Sequence, residues 1–228
     1  MMHLFWAWGW DEWLFVSLVV VVLVSVSIHN FYLKAKPTIV RELKKSTAKP
    51  FYAVKDGDYV RLHGTVEAYG DLIASELTKT PCVFYNARAL IIDNKEEYII
   101  GEEFKYTDFT ITDGESKVLI RPIFRDTITF HLGIDTDSQK HDSKFDPDRI
   151  QAFYERSEDY PYDRLNPRTS SNKYTESLIV PGDKIAIKGV ASWKKDEETG
   201  KRFLEVNSSY KQKMLITDDP EVIRTLPK

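Results

Sequence analysis

The chain of 228 residues has little of what usually marks an enzyme. It contains one cysteine, Cys82, so an internal disulfide is excluded, as is a zinc site built from several thiolates. It carries no G-x-S-x-G, no G-x-x-x-x-G-K-[ST], no H-E-x-x-H and no dinucleotide-binding glycine pattern. The sequence signatures of serine hydrolases, P-loop phosphohydrolases, zinc peptidases and Rossmann dehydrogenases are therefore missing. No Lys or Arg precedes Lys34, and no charged side chain lies between Trp13 and Leu33. These last two absences say the most.

The uncharged run reads WLFVSLVVVVLVSVSIHNFYL. At about 1.5 Å per residue, a helix of this length matches the roughly 30 Å hydrocarbon core of a bilayer. A cleaved leader would need a basic start and a small-residue cleavage site, whereas Asp11 and Glu12 precede this run. A strand would be shorter, about ten residues at most. The run is therefore read as a single transmembrane helix, residues 13–33, after an aromatic-rich segment, residues 1–12. Trp6, Trp8, Trp10 and Trp13 before it, and Phe31 and Tyr32 at its end, suit the headgroup level.

Residues 34–50 read as a basic juxtamembrane linker. The positive-inside rule predicts an external N-terminus and a cytoplasmic C-terminal domain, with a domain on the non-cytoplasmic side as the alternative. Lys34, Lys36, Arg41, Lys44 and Lys45 are candidate contacts to an anionic leaflet, at about 1 kcal/mol per charge near the surface. The expected lipid partner is reached through the N-terminal helix.

Residues 51–228 are enough for one domain with its own core. Net charge is −3 with a basic linker, so the domain beyond it is acidic. That argues against nucleic acid as a general partner, since such binding rests on neutralising phosphates. The domain reads as mainly β. Strands are predicted over 59–66, 82–92, 105–112, 117–123, 184–191, 202–206 and 213–217, with Asp113-Gly114 as a hairpin turn. A polar insert occupies residues 126–173. Within it Asp146 as N-cap, Pro147 at the first helical position and apolar Ile150, Phe153 and Tyr154 predict a docked helix to about Glu158.

An internal echo, G-D-x-[VI]-x-[LI]-x-G, occurs at 57–64 and again at 182–189. In each copy a turn launches a half-apolar strand, and the closing glycine allows sharp curvature. Such strands suit small barrels. The expected fold is β-rich α+β: an OB-like curved sheet or small barrel with one docked helix, preceded by the single transmembrane helix.

Several pieces in order carry a family resemblance: V-x-L-x-G-x-V at 60–66, Gly70-Asp71-Leu72, the P-C-V-F-Y box at 81–85, a strand ending in Asp113-Gly114, Glu176 leading to Gly182-Asp183, and L-I-T-D at 215–218. The chain resembles the GIDE family, or BAM domain. That domain occurs in a membrane-bound mitochondrial ubiquitin ligase and in prokaryotic membrane proteins. The resemblance makes Pro81, Cys82, Val83, Tyr85, Gly182 and Asp183 signature positions without an assigned role. It does not carry ligase activity over, because this chain has neither the family's cysteine-rich RING nor a second apolar run of spanning length.

Cys82 follows a proline and leads an apolar strand, the setting of a small buried hydrophobe rather than a nucleophile. Asp135, Asp137, Asp142, Asp146 and Asp148 suggest a calcium loop, but Lys140 stands where an EF-hand needs glycine. No catalytic, cofactor or metal residues are assigned. Alternating aromatics such as Phe84, Tyr85, Tyr98, Phe104, Tyr106 and Phe109 fit a core, or a stacking surface on an OB-like sheet. Three readings stay open: a non-catalytic membrane-tethered binding or sensor module for a protein or small ligand, a membrane-anchored hydrolase or transferase with an unrecognised site, and an OB-type binder of oligosaccharide or nucleic acid.

Overall fold

The computed structural model describes residues 17–22, 35–93, 96–133, 135–139, 153 and 171–224. The predicted span at 13–33 lies mostly outside them. Residues 17–22 are helical, with Leu18 63% and Val21 60% exposed. Among the described residues, no helix is long and apolar enough to cross a membrane.

The echo in the sequence is the key to the architecture. Its two copies become β1 (Tyr59–Ala68) and β11 (Lys184–Lys195), which pair antiparallel from Tyr59↔Val190 to Thr65↔Lys184. Each is launched by a glycine at positive φ, Gly57 at 81° and Gly182 at 100°. The launches are equivalent in detail. The Gly57 and Gly182 amides donate to the Ala191 and Val66 carbonyls, and the Ala191 and Val66 amides donate back to Asp58 and Asp183. The Asp58 and Asp183 carboxylates accept from the amides three residues earlier, Lys55 and Val180.

Each strand then changes partner. β1 leaves β11 for β6 (Phe109–Thr112) at Thr65, and β11 leaves β1 for β12 (Arg202–Asn207) at Val190. The closing glycines sit just before or at those departures, where a Cβ on Gly64 would lie 2.7 Å from the Thr112 carbonyl oxygen and one on Gly189 2.6 Å from Val206. β7 (Lys117–Arg121) pairs antiparallel with β6 and parallel with β12. The ring β1-β6-β7-β12-β11 thus returns to β1 as a closed five-stranded barrel. Its interior holds Leu62, Ile111, Ile120, Ile185, Ile187 and Val206, all fully buried. Each such side chain contributes about 1.5–3 kcal/mol by leaving water.

The connections between barrel strands build the rest. The first excursion, β1 to β6, supplies β2 (Ile73–Ala74), β3 (Pro81–Cys82), β4 (Phe84–Asp93) and β5 (Glu96–Tyr106). The second, β7 to β11, supplies β8 (Ile128–His131), β9 (Thr136–Gln139) and β10 (Ser171–Ile179). β4 and β10 pair along nine residues in a sheet ordered β5-β4-β10-β9. β13 (Met214–Thr217) and β8 extend the barrel sheet beyond β11. The predicted polar insert therefore contains strand: β8, β9 and the start of β10 all fall within 126–173. Of the predicted helix at 146–158 only Phe153 is described. It is helical, 1% exposed and packed with Cys82, Tyr85 and Tyr174.

Residues 35–45, expected as part of the linker, form helix α1 (Ala35–Lys45), so the folded unit reaches back to Ala35. Ile39 and Leu43, one turn apart, are buried against Ala186, Leu215 and Val222. Val222 belongs to the short α2 (Pro220–Ile223), which Asp219 caps through the Glu221 amide at 2.8 Å. Arg61 of β1, 2% exposed, ties both helices to the barrel. It donates to the carbonyls of Leu43 at 2.9 Å, Ser46 at 3.0 Å and Val222 at 2.7 Å. A cation at two helix C-termini also opposes their dipoles favourably.

Candidate functional site

The signature residues named by the resemblance form a joint in the scaffold. Pro81 is exposed on β3, but Val83 and Phe84 enter the barrel core while Cys82 and Tyr85 face the second cluster, with Leu77 and Phe153. The Val83 amide donates to Ile179, and its carbonyl accepts from Thr107. The box thus fastens two cores to one strand. The Tyr85 hydroxyl donates to Glu103 at 2.9 Å, and burial raises its pKa well above the usual tyrosine value. Burial, with the nearby Glu176 charge, pushes the Cys82 thiol up to about 12, and the thiol lies 3.5 Å from the Ile73 carbonyl. Such a thiol is no nucleophile at neutral pH. Gly182 and Asp183 form the β11 launch described above.

Glu176, on β10, is fully buried and holds the loop that leads into the box. Its carboxylate accepts from the Leu77 amide at 2.7 Å, the Ser75 hydroxyl at 3.0 Å, the Thr78 amide at 3.2 Å and the Thr78 hydroxyl. Four neutral donors on one carboxylate make this a structural anchor.

Of the basic residues expected at a membrane surface, Lys34 lies outside the described residues and Lys36 belongs to α1. Arg41 is half-buried, Lys44 pairs with Glu221 at 2.5 Å, and Lys45 is exposed. The structure describes no membrane against which to test them. His63 is half-buried, because β1 is covered on both faces once α1 and α2 dock. Burial, with the Arg61 charge, lowers its pKa. Among the aromatics, Phe84, Tyr85 and Phe109 are core and Phe104 and Tyr106 pack against it, whereas Tyr98 is 41% exposed. Of the acidic residues considered for calcium, Asp142, Asp146 and Asp148 lie outside the described residues. Among the described residues no group of three carboxylate, imidazole or thiol ligands converges.

A surface that sequence reasoning did not single out is a cleft of about 470 Å³ on the barrel wall. Its floor is Thr110 of β6 with Lys117 and Leu119 of β7. One side is the end of β1 and the following Tyr69, 52% exposed; the other is the β11–β12 turn with Lys201 and Arg202. Its two carboxylates are already engaged. Glu67 pairs with Lys117 at 2.5 Å. Asp196 accepts from the Thr199 amide at 2.7 Å, the Thr199 hydroxyl at 2.8 Å and the Glu198 amide at 3.1 Å, and the Thr199 bonds hold it below the usual carboxylate pKa. Lys201 and Arg202 make no ion pair among the described residues, and the Arg202 guanidinium lies 5.2 Å from the Trp193 ring centroid. The cleft thus offers an exposed ring and two cations outside ion pairs, Arg202 beside the Trp193 ring and Lys201 near the Asp196 charge. Neither histidine nor cysteine lines it.

The signals for this cleft were present in the sequence but dispersed. Tyr69, Lys117 and Lys201 stand in three unrelated turns, and only closure of the barrel makes them neighbours. Compared with protein-family models, curated proteins and solved structures, the chain matches none.

Proposed function

We propose that this protein is a non-catalytic binding module, tethered to a membrane by its N-terminal apolar run, that takes its ligand in the cleft between Tyr69, Lys117 and Lys201. The observation that carries the reading is the composition of that cleft. Tyr69 offers a face for stacking, and Lys117, Lys201 and Arg202 outnumber Glu67 and Asp196, which leaves the lining one net positive charge.

The barrel reads as OB-like. In OB folds the face of the second and third strands, flanked by the first and last inter-strand loops, binds oligonucleotides and oligosaccharides. Here the second and third barrel strands are β6 and β7, and the cleft lies on them between the β1 exit and the β11–β12 turn. We favour a short, acidic oligosaccharide or similar small anion as ligand over nucleic acid, because an acidic domain repels a long polyphosphate beyond the cleft. The asymmetric charge flanking residues 13–33 supports a single-pass protein with its domain on the cytoplasmic side, although the resemblance to GIDE/BAM ligases, whose domain sits between two spans on the non-cytosolic side, points the other way.

Titration of the full chain in detergent with uronic-acid oligosaccharides and, separately, a short single-stranded DNA tests this, with binding read by calorimetry and cleft residues by NMR. Binding of the sugar that falls about tenfold in Tyr69→Ala or Lys201→Ala supports the reading, as loss of one stacking or charge-assisted contact predicts. Binding unaffected by either change, or consumption of the ligand, overturns it.

A further inference from the structure

A second surface, remote in sequence from the cleft, has the makings of a lipid contact. β12 and β13 lie end to end along one edge of β11, since Val190 and Lys188 pair with them on one side and with β1 on the other. β7 and β8 lie end to end beside them, parallel and in register, Val118↔Leu204 and Ile128↔Met214. Two neighbouring strands therefore break at the same level, and the excursions 122–127 and 208–213 emerge side by side.

They are joined to each other. The Thr127 and Ser208 hydroxyls bond at 2.6 Å, and the Phe124 and Tyr210 rings stack with centroids 5.2 Å apart at 24°. Yet the tips are open: Ile123 is 47%, Phe124 45% and Tyr210 71% exposed. Exposed Arg125, Lys211 and Lys213 stand around them, with Asp126 the one acid in the two excursions. This is a basic, aromatic tip on a chain of net charge −3.

We infer that the paired excursions carrying Phe124 and Tyr210 seat the barrel on an anionic lipid surface. The rings suit the headgroup level, where an apolar body meets a wet edge. The three cations supply attraction to acidic headgroups, each strengthening contact about fivefold. α1 packs on β8 and β13, the strands into which the two excursions lead, and through α1 the domain joins the apolar run at 13–33. The inference is independent of the cleft's ligand.

The test uses the full chain with Gln212→Cys, labelled with an environment-sensitive dye and reconstituted in vesicles of phosphatidylcholine with or without about 30 mol% phosphatidylserine. Cys82 is fully buried and does not compete for label. The expected result is a blue shift and quenching by bilayer-borne quenchers only with phosphatidylserine, weakened by salt, and absent when the dye sits at Glu115→Cys on the β6–β7 turn. The double variant Phe124→Ser/Tyr210→Ser should abolish the shift. Lys211→Gln/Lys213→Gln, confined to exposed positions and so safe for folding, should weaken it by more than tenfold. A dye at position 212 that stays in water on acidic vesicles, or that becomes shielded only when a protein extract is added, overturns the inference.

Discussion

Replacing Arg61 with methionine would keep most of the buried volume and remove the guanidinium that joins both helices to the barrel, leaving α1 the Lys188–Glu42 pair at 3.0 Å. Three carbonyls lose the guanidinium as donor, those of Leu43, Ser46 and Val222, while Leu43 keeps the Ser46 amide at 3.2 Å. The bonds to Leu43 and Val222 are buried, whereas that to Ser46 is part-buried, so water can replace the guanidinium at Ser46 alone. The two buried bonds come from a charged donor, and such bonds are worth about 1.5–3 kcal/mol each. Against this stands relief from burying a guanidinium 2% exposed to solvent, which recovers part of that sum because no carboxylate is left behind unpaired. The expected net loss is about 2–4 kcal/mol. It should be local first: hydrogen exchange should speed up in α1 and α2 before the barrel strands respond. Arg61→Lys should recover less than half, since an ammonium on a flexible stem cannot match the planar fork across three acceptors. Urea unfolding of the full chain in detergent, with exchange mass spectrometry, measures both. A loss below about 0.5 kcal/mol with α1 protection unchanged would refute the reasoning.

Glu176→Gln should cost about 2–3 kcal/mol and expose the 75–80 loop to proteolysis, because an amide nitrogen must then face the Leu77 or Thr78 N–H; unchanged cleavage and stability would contradict it. Gly189→Ala should destabilise by about 1–3 kcal/mol, the new methyl meeting Val206 and the Asn207 carbonyl, while the same change at open Gly114 acts only through its φ of 100°; equal unfolding midpoints for wild type and Gly189→Ala would count against the close approach. Cys82 should resist alkylation at about pH 8 until denaturant is added, as mass spectrometry would show; prompt labelling of the native protein would refute its burial. For His63 the folded pKa lies below 6.5, so the unfolded chain takes the proton first and stability falls as pH drops below 6.5 toward the folded value. A His63→Gln variant should show a flatter melting temperature over that window, and an identical slope would argue against the assignment.

The barrel could be anticipated from the echo at 57–64 and 182–189 because the constraint there is local. A turn at positive φ needs glycine, and a strand that must swing from one partner to another needs a second glycine where a Cβ would strike the new neighbour. Both demands fall on one short segment, so both leave a mark in it. The strand β5 left no such mark. Its residues EEYIIGEEFKY hold few alternating apolar positions, since Tyr98 and Ile99 face outward and what fixes them is pairing with β4. Arg61 escaped for a related reason. An alternating strand predicts one polar face, and only the docking of α1 and α2 converts that face into interior. The cleft residues Tyr69 and Lys201 were invisible because no period or spacing links them.

Where the signature residues sit bears on what the family resemblance can carry. Gly182 and Asp183 launch β11, Val83 and Phe84 lock the barrel to the second sheet, and Glu176 holds the loop before them. Leu215 and Ile216 pack beneath α1 and in the barrel, and Asp218 accepts from the Gly133 amide. Every one of these roles is architectural, and each is discharged by contacts within the chain. Tyr69, Lys117, Lys201 and Arg202 lie outside the motif pieces, as do Phe124 and Tyr210. A sequence can therefore keep the motif and exchange all that meets a ligand or a lipid, because function resides in sites mounted on a fold rather than in the fold. Resemblance through this motif predicts the scaffold of a relative. Its ligand must be read from the cleft and the excursions of the individual chain.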